Sequence, residues 1–60
     1  MNNYFYIVKD QFGSIAFLAS NGEDTKDFDK AARFQFREMA QDFIEQHKIK
    51  GCVIRELYGH

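Results

Sequence analysis

The stretch YFYIVKDQFGSIAFLAS, residues 4–20, has the pattern of a β-hairpin and decides the fold. Residues 4–9 are rich in β-branched and aromatic side chains, which favour a strand. Asp10 and Gly13 take the first and fourth positions of the next segment, a placement typical of a type I turn followed by a bulged glycine. Residues 14–20 are therefore predicted to return as a second, antiparallel strand.

The turn also sets the register of the hairpin. A three-residue loop places Asp10 opposite Ser14, and the side chains of both strands then alternate between two faces. We expect one face to lie under a helix and to carry Phe5, Ile7, Ile15, Phe17 and Ala19. The second face is apolar where a surface open to water should be polar. It would carry Tyr4, Tyr6, Val8, Ala16 and Leu18.

Residues 25–48 change to a helical period, with apolar side chains three and four positions apart. Asp24 or Thr25 is expected to cap this helix, and Gly51 to adopt the left-handed conformation after its end. The stripe predicted to face the sheet consists of Phe28, Ala32, Phe36, Met39, Phe43 and His47.

Residues 52–58, CVIRELY, are predicted to form a third strand. The sequence thus predicts an α+β fold, a small ββαβ domain with one long helix packed on one face of a three-stranded, mainly antiparallel sheet. A helical connection with short loops favours the strand order 2-1-3. The order 1-2-3, with strands two and three parallel, is the alternative.

Length and composition limit what the chain can be. Sixty residues form a single domain, 1–60, with a core so small that a monomer is only marginally stable. Aromatic residues make up 17% of the chain, more than such a core can cover, so some rings should be partly exposed or lie in an interface. A net charge of −1 disfavours a general polyanion binder. The sequence shows neither a basic leader nor a long apolar run, so we expect a cytoplasmic protein.

Residues that could support catalysis are few. His47 lies on the rim of the predicted apolar stripe, His60 is the last residue, and the single cysteine, Cys52, excludes a disulfide scaffold. We interpret His47 as a structural histidine and Cys52 as a buried free thiol. This interpretation explains the two residues better than a nucleophilic Cys–His pair does. Neither a phosphate-binding glycine loop nor a metal-ligand spacing is present. We therefore expect a protein that is not an enzyme and needs no cofactor or metal.

The outer surface of the predicted helix offers a candidate interface. Phe34 falls opposite the apolar stripe, between a basic and an acidic stripe, as an exposed ring with a charged rim. The basic stripe is Lys26, Lys30, Arg33, Arg37 and Lys48, and the acidic stripe is Asp27, Glu38, Asp42 and Glu45. Together with the second sheet face, this surface gives the candidate partner-binding residues Tyr4, Tyr6, Leu18, Phe34, Arg37, Glu38 and Ile44.

Two functions fit these features. The first is a small non-catalytic module that binds a partner protein or a second copy of itself, most simply as a homodimer. Its size, surplus apolar surface and lack of catalytic residues are typical of accessory or inhibitor proteins of phages and other mobile elements. The alternative is a nucleic-acid binder, in which sheet tyrosines stack on unpaired bases or the basic stripe follows phosphates.

Overall fold

A computed structural model describes residues 3–11 and 13–58 of the chain. The strands are β1 (Asn3–Gln11), β2 (Ser14–Leu18), β3 (Asp24–Thr25) and β4 (Cys52–Tyr58). A short 3-10 turn covers Phe28–Lys30, and the helix α1 covers Arg37–His47. The sheet order is β3-β2-β1-β4, and every neighbouring pair is antiparallel.

The predicted class is confirmed, because one helix accompanies an antiparallel sheet and the last strand pairs with the first. The sheet has four strands among the described residues where three were predicted. The added strand, β3, is two residues long and extends the sheet beyond β2. No helix in residues 3–11 and 13–58 combines the length and apolarity that crossing a bilayer requires.

The predicted register of the hairpin is wrong by one residue. Gln11 pairs with Ser14 and Val8 with Phe17, so the loop holds two residues instead of three. Gly13 takes a φ of 81°, a left-handed conformation that glycine adopts without steric cost. Phe12, the other loop residue, lies outside the described part. A slip of one residue exchanges the two faces of a strand, so each face of β2 is the reverse of the prediction.

The face of the sheet beneath α1, called here the helix face, contains the core. Ile7, Leu18 and Ala40 are its most buried members, and Leu18 is only 1% exposed. Leu18 was predicted to be an exposed partner-binding residue, which is wrong because the register turns it under the helix. Partly buried side chains surround these three, namely Phe5, Phe34, Phe43, Ile44, Ile49, Cys52 and Ile54.

The helix is much shorter than the predicted 25–48. Side chains cap the backbone locally in the segment before it: the Asp27 amide donates to Thr25 Oγ1, at 3.1 Å, and the Asp29 amide donates to Asp27 Oδ1, at 3.0 Å. Such bonds compete with helical ones and favour turns. The helix begins only after Phe36, which is 55% exposed and not in the core, contrary to prediction.

Residues 31–34 are extended because their backbone forms hydrogen bonds with the sheet. β1 has nine residues and β2 has five, so β2 leaves the first half of β1 without a neighbour on that side. Phe34 fills the gap: its amide donates to the Phe5 carbonyl at 2.8 Å, and the Phe5 amide donates back at 2.7 Å. The Ala32 amide donates to the Leu18 carbonyl in the same way, at 2.8 Å.

The helix ends at a left-handed residue, as predicted, but that residue is not Gly51. Lys48 takes a φ of 54° and its amide bonds the Glu45 and Ile44 carbonyls, which closes the last turn. Gly51, with a φ of 70°, belongs to the loop that leads into β4. Ile44 was predicted on the outer helix surface, but it packs against the core, because Phe28, Ala32 and Phe36, which set the predicted inward direction, are not part of the helix.

Candidate functional site

The sheet face turned away from α1, called here the open face, is the main candidate surface. The register of β1 with β2 and β4 places nine side chains on it. Seven of the nine are apolar or aromatic, although α1 does not cover them. The nine are Tyr4, Tyr6, Val8, Asp10, Ile15, Phe17, Val53, Arg55 and Leu57.

The open face contains a groove with an apolar floor. It has a volume of about 300 Å³ and is lined by Tyr6, Val8, Ile15, Phe17 and Arg55. Val8 is buried at its base, whereas Ile15 is 57% exposed on its wall. Beyond the groove, Val53 is 55% exposed on β4. A continuous apolar surface of this kind is uncommon on a monomer and usually marks a binding site.

Three rings that contact each other border this groove and are called here the aromatic trio: Tyr6, Phe17 and Phe28. Phe28 comes from the 3-10 turn and meets the other two rings edge-on, with centroid distances of 5.1 Å to Tyr6 and 5.2 Å to Phe17. Tyr6 and Phe17 lie 6.0 Å apart. Edge-to-face contacts of this type orient the rings, so one side of the groove is fixed in shape before any partner binds.

Charged side chains of both signs surround the aromatic trio, and Asp27 and Asp29 flank Phe28 in the 3-10 turn. The Arg33 guanidinium lies 5.4 Å from the centroid of the Phe28 ring, a cation–π arrangement. Arg55 lines the groove opposite Tyr6. The Lys26 ammonium donates to the Ile15 carbonyl at 3.2 Å, at the same end of the sheet as Asp10. The groove therefore joins an apolar floor to a rim that is cationic at Arg55 and carries both a cation and a carboxylate, Lys26 and Asp10, at its Ile15 end.

Tyr4 and Tyr6, predicted from their strand positions, both lie on the open face. Tyr6 is held in the aromatic trio, and Tyr4 is 36% exposed beside Leu57. The two rings do not form a free stacking platform of equivalent tyrosines.

Phe34 is not on the outer surface of a helix, so its predicted placement is wrong. Its backbone pairs with β1, and its ring lies 5.3 Å from the ring of Phe43, against the core. Phe34, Met39 and Phe43 line a second, shallower cavity of about 220 Å³ with Asp42 and Gln46. This cavity lies on the helix side of the molecule, away from the open face.

Arg37 and Glu38 begin the helix and are exposed, as predicted. The Arg37 guanidinium lies 5.3 Å from the centroid of the Phe5 ring and covers one side of the core. Among the acidic stripe residues, Glu38, Asp42 and Glu45 remain on one side of the helix. The basic stripe does not form, because Lys26, Lys30 and Arg33 precede the helix. A helical track for phosphates is therefore absent from the described residues.

The residues considered for catalysis lie in structural settings. The His47 ring packs 4.3 Å from the Phe43 ring and against Gly22, while Cys52 is half-buried at the edge of the core. His60 lies outside the described residues. Within residues 3–11 and 13–58, no three His, Cys, Asp or Glu side chains are close enough to hold a metal ion.

Comparison of the chain with known proteins finds no matching family, no matching curated protein and no matching solved structure. The site is therefore interpreted from its own geometry.

Sequence reasoning missed Ile15, Phe17 and Phe28 as parts of this surface. The first two were assigned to the opposite face by the one-residue slip, and Phe28 was assigned to a helix. The alternation along β4 puts Val53, Arg55 and Leu57 on one face of that strand, but every second antiparallel register turns this face to the side of Tyr4 and Tyr6, so the pattern alone does not assign them.

Proposed function

We propose that this protein is a non-catalytic interaction module whose open face binds a partner protein. The observation that carries the proposal is the uncovered apolar surface around the groove, on which Ile15 and Val53 are more than half exposed. An accessory or inhibitor protein would act through such a surface by occupying that of its partner.

The total surface of the chain supports this proposal. The accessible area is 4546 Å², whereas compact monomers of 7.1 kDa expose ~4,100 Å². Among the residues that the structure describes, six apolar ones are buried, and three of these are alanines: Ala16, Ala31 and Ala40. Burial of the open face by a partner would remove apolar surface from water and stabilise the fold.

A partner of different sequence fits the open face better than a second copy does. Arg55 lines the groove, and two copies meeting face to face would bring two such guanidinium groups to one interface. Like charges at an interface oppose association unless a carboxylate lies between them. The carboxylate that the register places on this face, Asp10, lies four positions along β1 from Tyr6, the residue that pairs with Arg55. A partner with apolar side chains and nearby carboxylates would instead complement both the groove and the cationic part of its rim at Arg55.

The proposal is tested by placing a charge on the open face. Ile15→Lys adds an ammonium group to the groove wall, and Met39→Lys is the matched control on the helix side, where Met39 is also about half exposed. With each protein as bait in the native host's extract, we expect a partner that binds the wild type and Met39→Lys but not Ile15→Lys. Equal capture by all three baits would contradict the proposal. Sedimentation velocity of the same proteins shows whether the occupant is a second copy.

Single-stranded nucleic acid is the second candidate, favoured by the basic side chains around the aromatic trio. Arg33 over Phe28 and Arg55 beside Tyr6 pair aromatic rings with cationic groups that could contact phosphates. On this reading, affinity for an oligonucleotide falls steeply with salt and is lost in Arg33→Gln and Arg55→Gln. Titration of a fluorescent oligothymidine at two salt concentrations separates this function from the first.

A further inference from the structure

No strand within residues 3–11 and 13–58 pairs with the outer edge of β4, and the hydrogen bonds of Phe5 show which backbone groups of β4 point to that edge. Both backbone groups of Phe5 bond Phe34, so they point away from β4. Phe5 and Glu56 therefore form a non-hydrogen-bonded pair in the antiparallel ladder, and the amide and carbonyl of Glu56 point outward. Because the pattern alternates, Ile54 also directs its amide and carbonyl to the open edge.

The two edges of the sheet differ in how far they are covered by other parts of the chain. On one side, the two-residue β3 and the bridging residues 31–34 shorten and cover the edge. On the other side, β4 runs for seven residues without proline or lysine, and its two charged residues, Arg55 and Glu56, have opposite signs. Tyr58, which is 67% exposed, lies on this strand.

Pairing of β4 with a second copy of itself is disfavoured by its own charges. Two antiparallel copies related by a two-fold axis place one residue directly opposite its own equivalent. Centring the pair on Arg55 uses the whole strand but sets two arginines opposite each other. Centring it on Glu56 sets two glutamates opposite each other, and like charges in directly opposed positions destabilise a strand pair. Centring it on Ile54 avoids both clashes, but it pairs only residues 52–56 and sets Arg55 and Glu56 opposite Val53 and Cys52, so neither charge gains a partner.

We infer that β4 accepts an extended segment of another protein as an additional antiparallel strand. The segment would carry a carboxylate opposite Arg55 and an ammonium group opposite Glu56, with β-branched residues opposite Ile54 and Val53. This inference rests on the proposed function, since Arg55 and Val53 also lie on the open face. It specifies that the partner binds through its backbone at the edge of that face.

The charge pattern makes the expected segment asymmetric. Arg55 lies on the open face, whereas Glu56 lies on the helix face, where it accepts a hydrogen bond from the Asn3 side-chain amide at 3.1 Å. Adjacent residues of the added strand must therefore carry opposite charges on opposite faces. Acetylated and amidated Thr-Val-Lys-Glu-Val-Val-Thr meets this requirement, with its lysine facing Glu56 and its glutamate facing Arg55.

Backbone methylation of this peptide is the decisive test. The peptide lysine, opposite Glu56, would donate its amide to β4, so N-methylation there should abolish binding. The peptide glutamate, opposite Arg55, would direct its amide away, so N-methylation there should change affinity less than about threefold. Binding to the isotope-labelled full chain is measured by NMR titration, with the amide signals of Ile54 and Glu56 expected to shift. Equal effects of the two methylations on affinity would overturn the inference. No detectable binding of the parent peptide at 1 mM, which means a binding free energy weaker than about −4 kcal/mol, would overturn it as well.

Charge exchange provides the second measurement. Arg55→Glu should weaken binding about three- to tenfold, as expected when an attractive cross-strand pair becomes repulsive. A peptide with lysine in place of its glutamate should recover the loss. Lys30→Glu is the matched control, because Lys30 is exposed near the opposite edge of the sheet.

The same titration separates failure of this inference from failure of the proposed function. If Ile15→Lys abolishes peptide binding while neither methylation matters, the peptide lies across the open face. The edge pairing is then wrong and the proposed function stands. If sedimentation shows a dimer that the peptide fails to displace, the occupant is a second copy and the inference is wrong.

Discussion

Leu18→Ala and Ile15→Ala form a pair of substitutions that test the observed register. The two residues lie on one strand, three positions apart and on opposite faces of the sheet. Leu18 is 1% exposed under α1, and Ile15 is 57% exposed on the open face. In the register predicted from the sequence their environments would be reversed, so the pair distinguishes the two arrangements directly.

The expected loss for Leu18→Ala follows from its burial. The substitution removes the equivalent of three methylene groups at ~0.8 kcal/mol each, or about 2.4 kcal/mol, before any cavity is counted. A cavity term brings the loss to about 3 kcal/mol, within the usual range for a buried leucine. A domain of this size has a total stability of roughly 3–9 kcal/mol. The variant should therefore melt at least ~12 °C lower, or not fold.

Ile15→Ala should cost no more than about 1 kcal/mol, because more than half of its side chain is already in water. Urea unfolding followed by far-ultraviolet circular dichroism measures both values. Each variant is unfolded at two protein concentrations, so that loss of self-association is not mistaken for loss of packing. If Ile15→Ala is as destabilising as Leu18→Ala at both concentrations, the observed register of β1 and β2 is refuted.

Three further expectations follow from particular contacts, and urea unfolding checks each of them. Gly22→Ala should lower the free energy of unfolding by more than 2 kcal/mol, because Gly22 has a φ of 88° and the new Cβ would lie 2.7 Å from His47 Nδ1. Gly13→Ala is the control and should cost about 1 kcal/mol, because Gly13 has a φ of 81° but open space around it. Equal losses for the two variants would exclude the clash. Lys48→Gly should stabilise the protein by up to about 1 kcal/mol, because glycine adopts the left-handed helix end more easily, and a loss instead would contradict that account. Phe28→Ala should cost about 2 kcal/mol through its two edge-to-face contacts with the other rings of the aromatic trio, and an unchanged midpoint would show that these contacts contribute nothing.

Some of the fold is readable from local pattern and some is not. Alternation and β-branched residues locate the hairpin and the last strand, because these signals depend on neighbours in sequence. The register does not follow from them, since a two-residue loop and a three-residue loop both accept a left-handed Gly13. The two registers exchange the faces of β2, and because both faces of the hairpin are largely apolar, the hydrophobic pattern does not choose between them.

The extent of the helix also depended on distant residues. Phe28, Ala32 and Phe36 have helical spacing, while Phe34-Gln35-Phe36 equally shows the alternation of a strand. The unpaired first half of β1 decides between them, because Phe34 completes its hydrogen bonds. This misreading moved Phe34 to the surface in the prediction and hid Phe28, so the candidate site could be predicted only through Tyr4 and Tyr6.

The pairing of β1 with β4 also governs when the protein can begin to fold. Lys9 pairs with Cys52 and Asn3 with Tyr58, so this ladder closes a loop that spans nearly the whole described chain. Contacts so distant in sequence slow folding, because chain entropy is lost before they form. During synthesis, the apolar segment YFYIV (residues 4–8) emerges well before the strand that covers its far edge. For that interval the segment is an exposed, strand-forming stretch, and newly made chains are most prone to aggregate there.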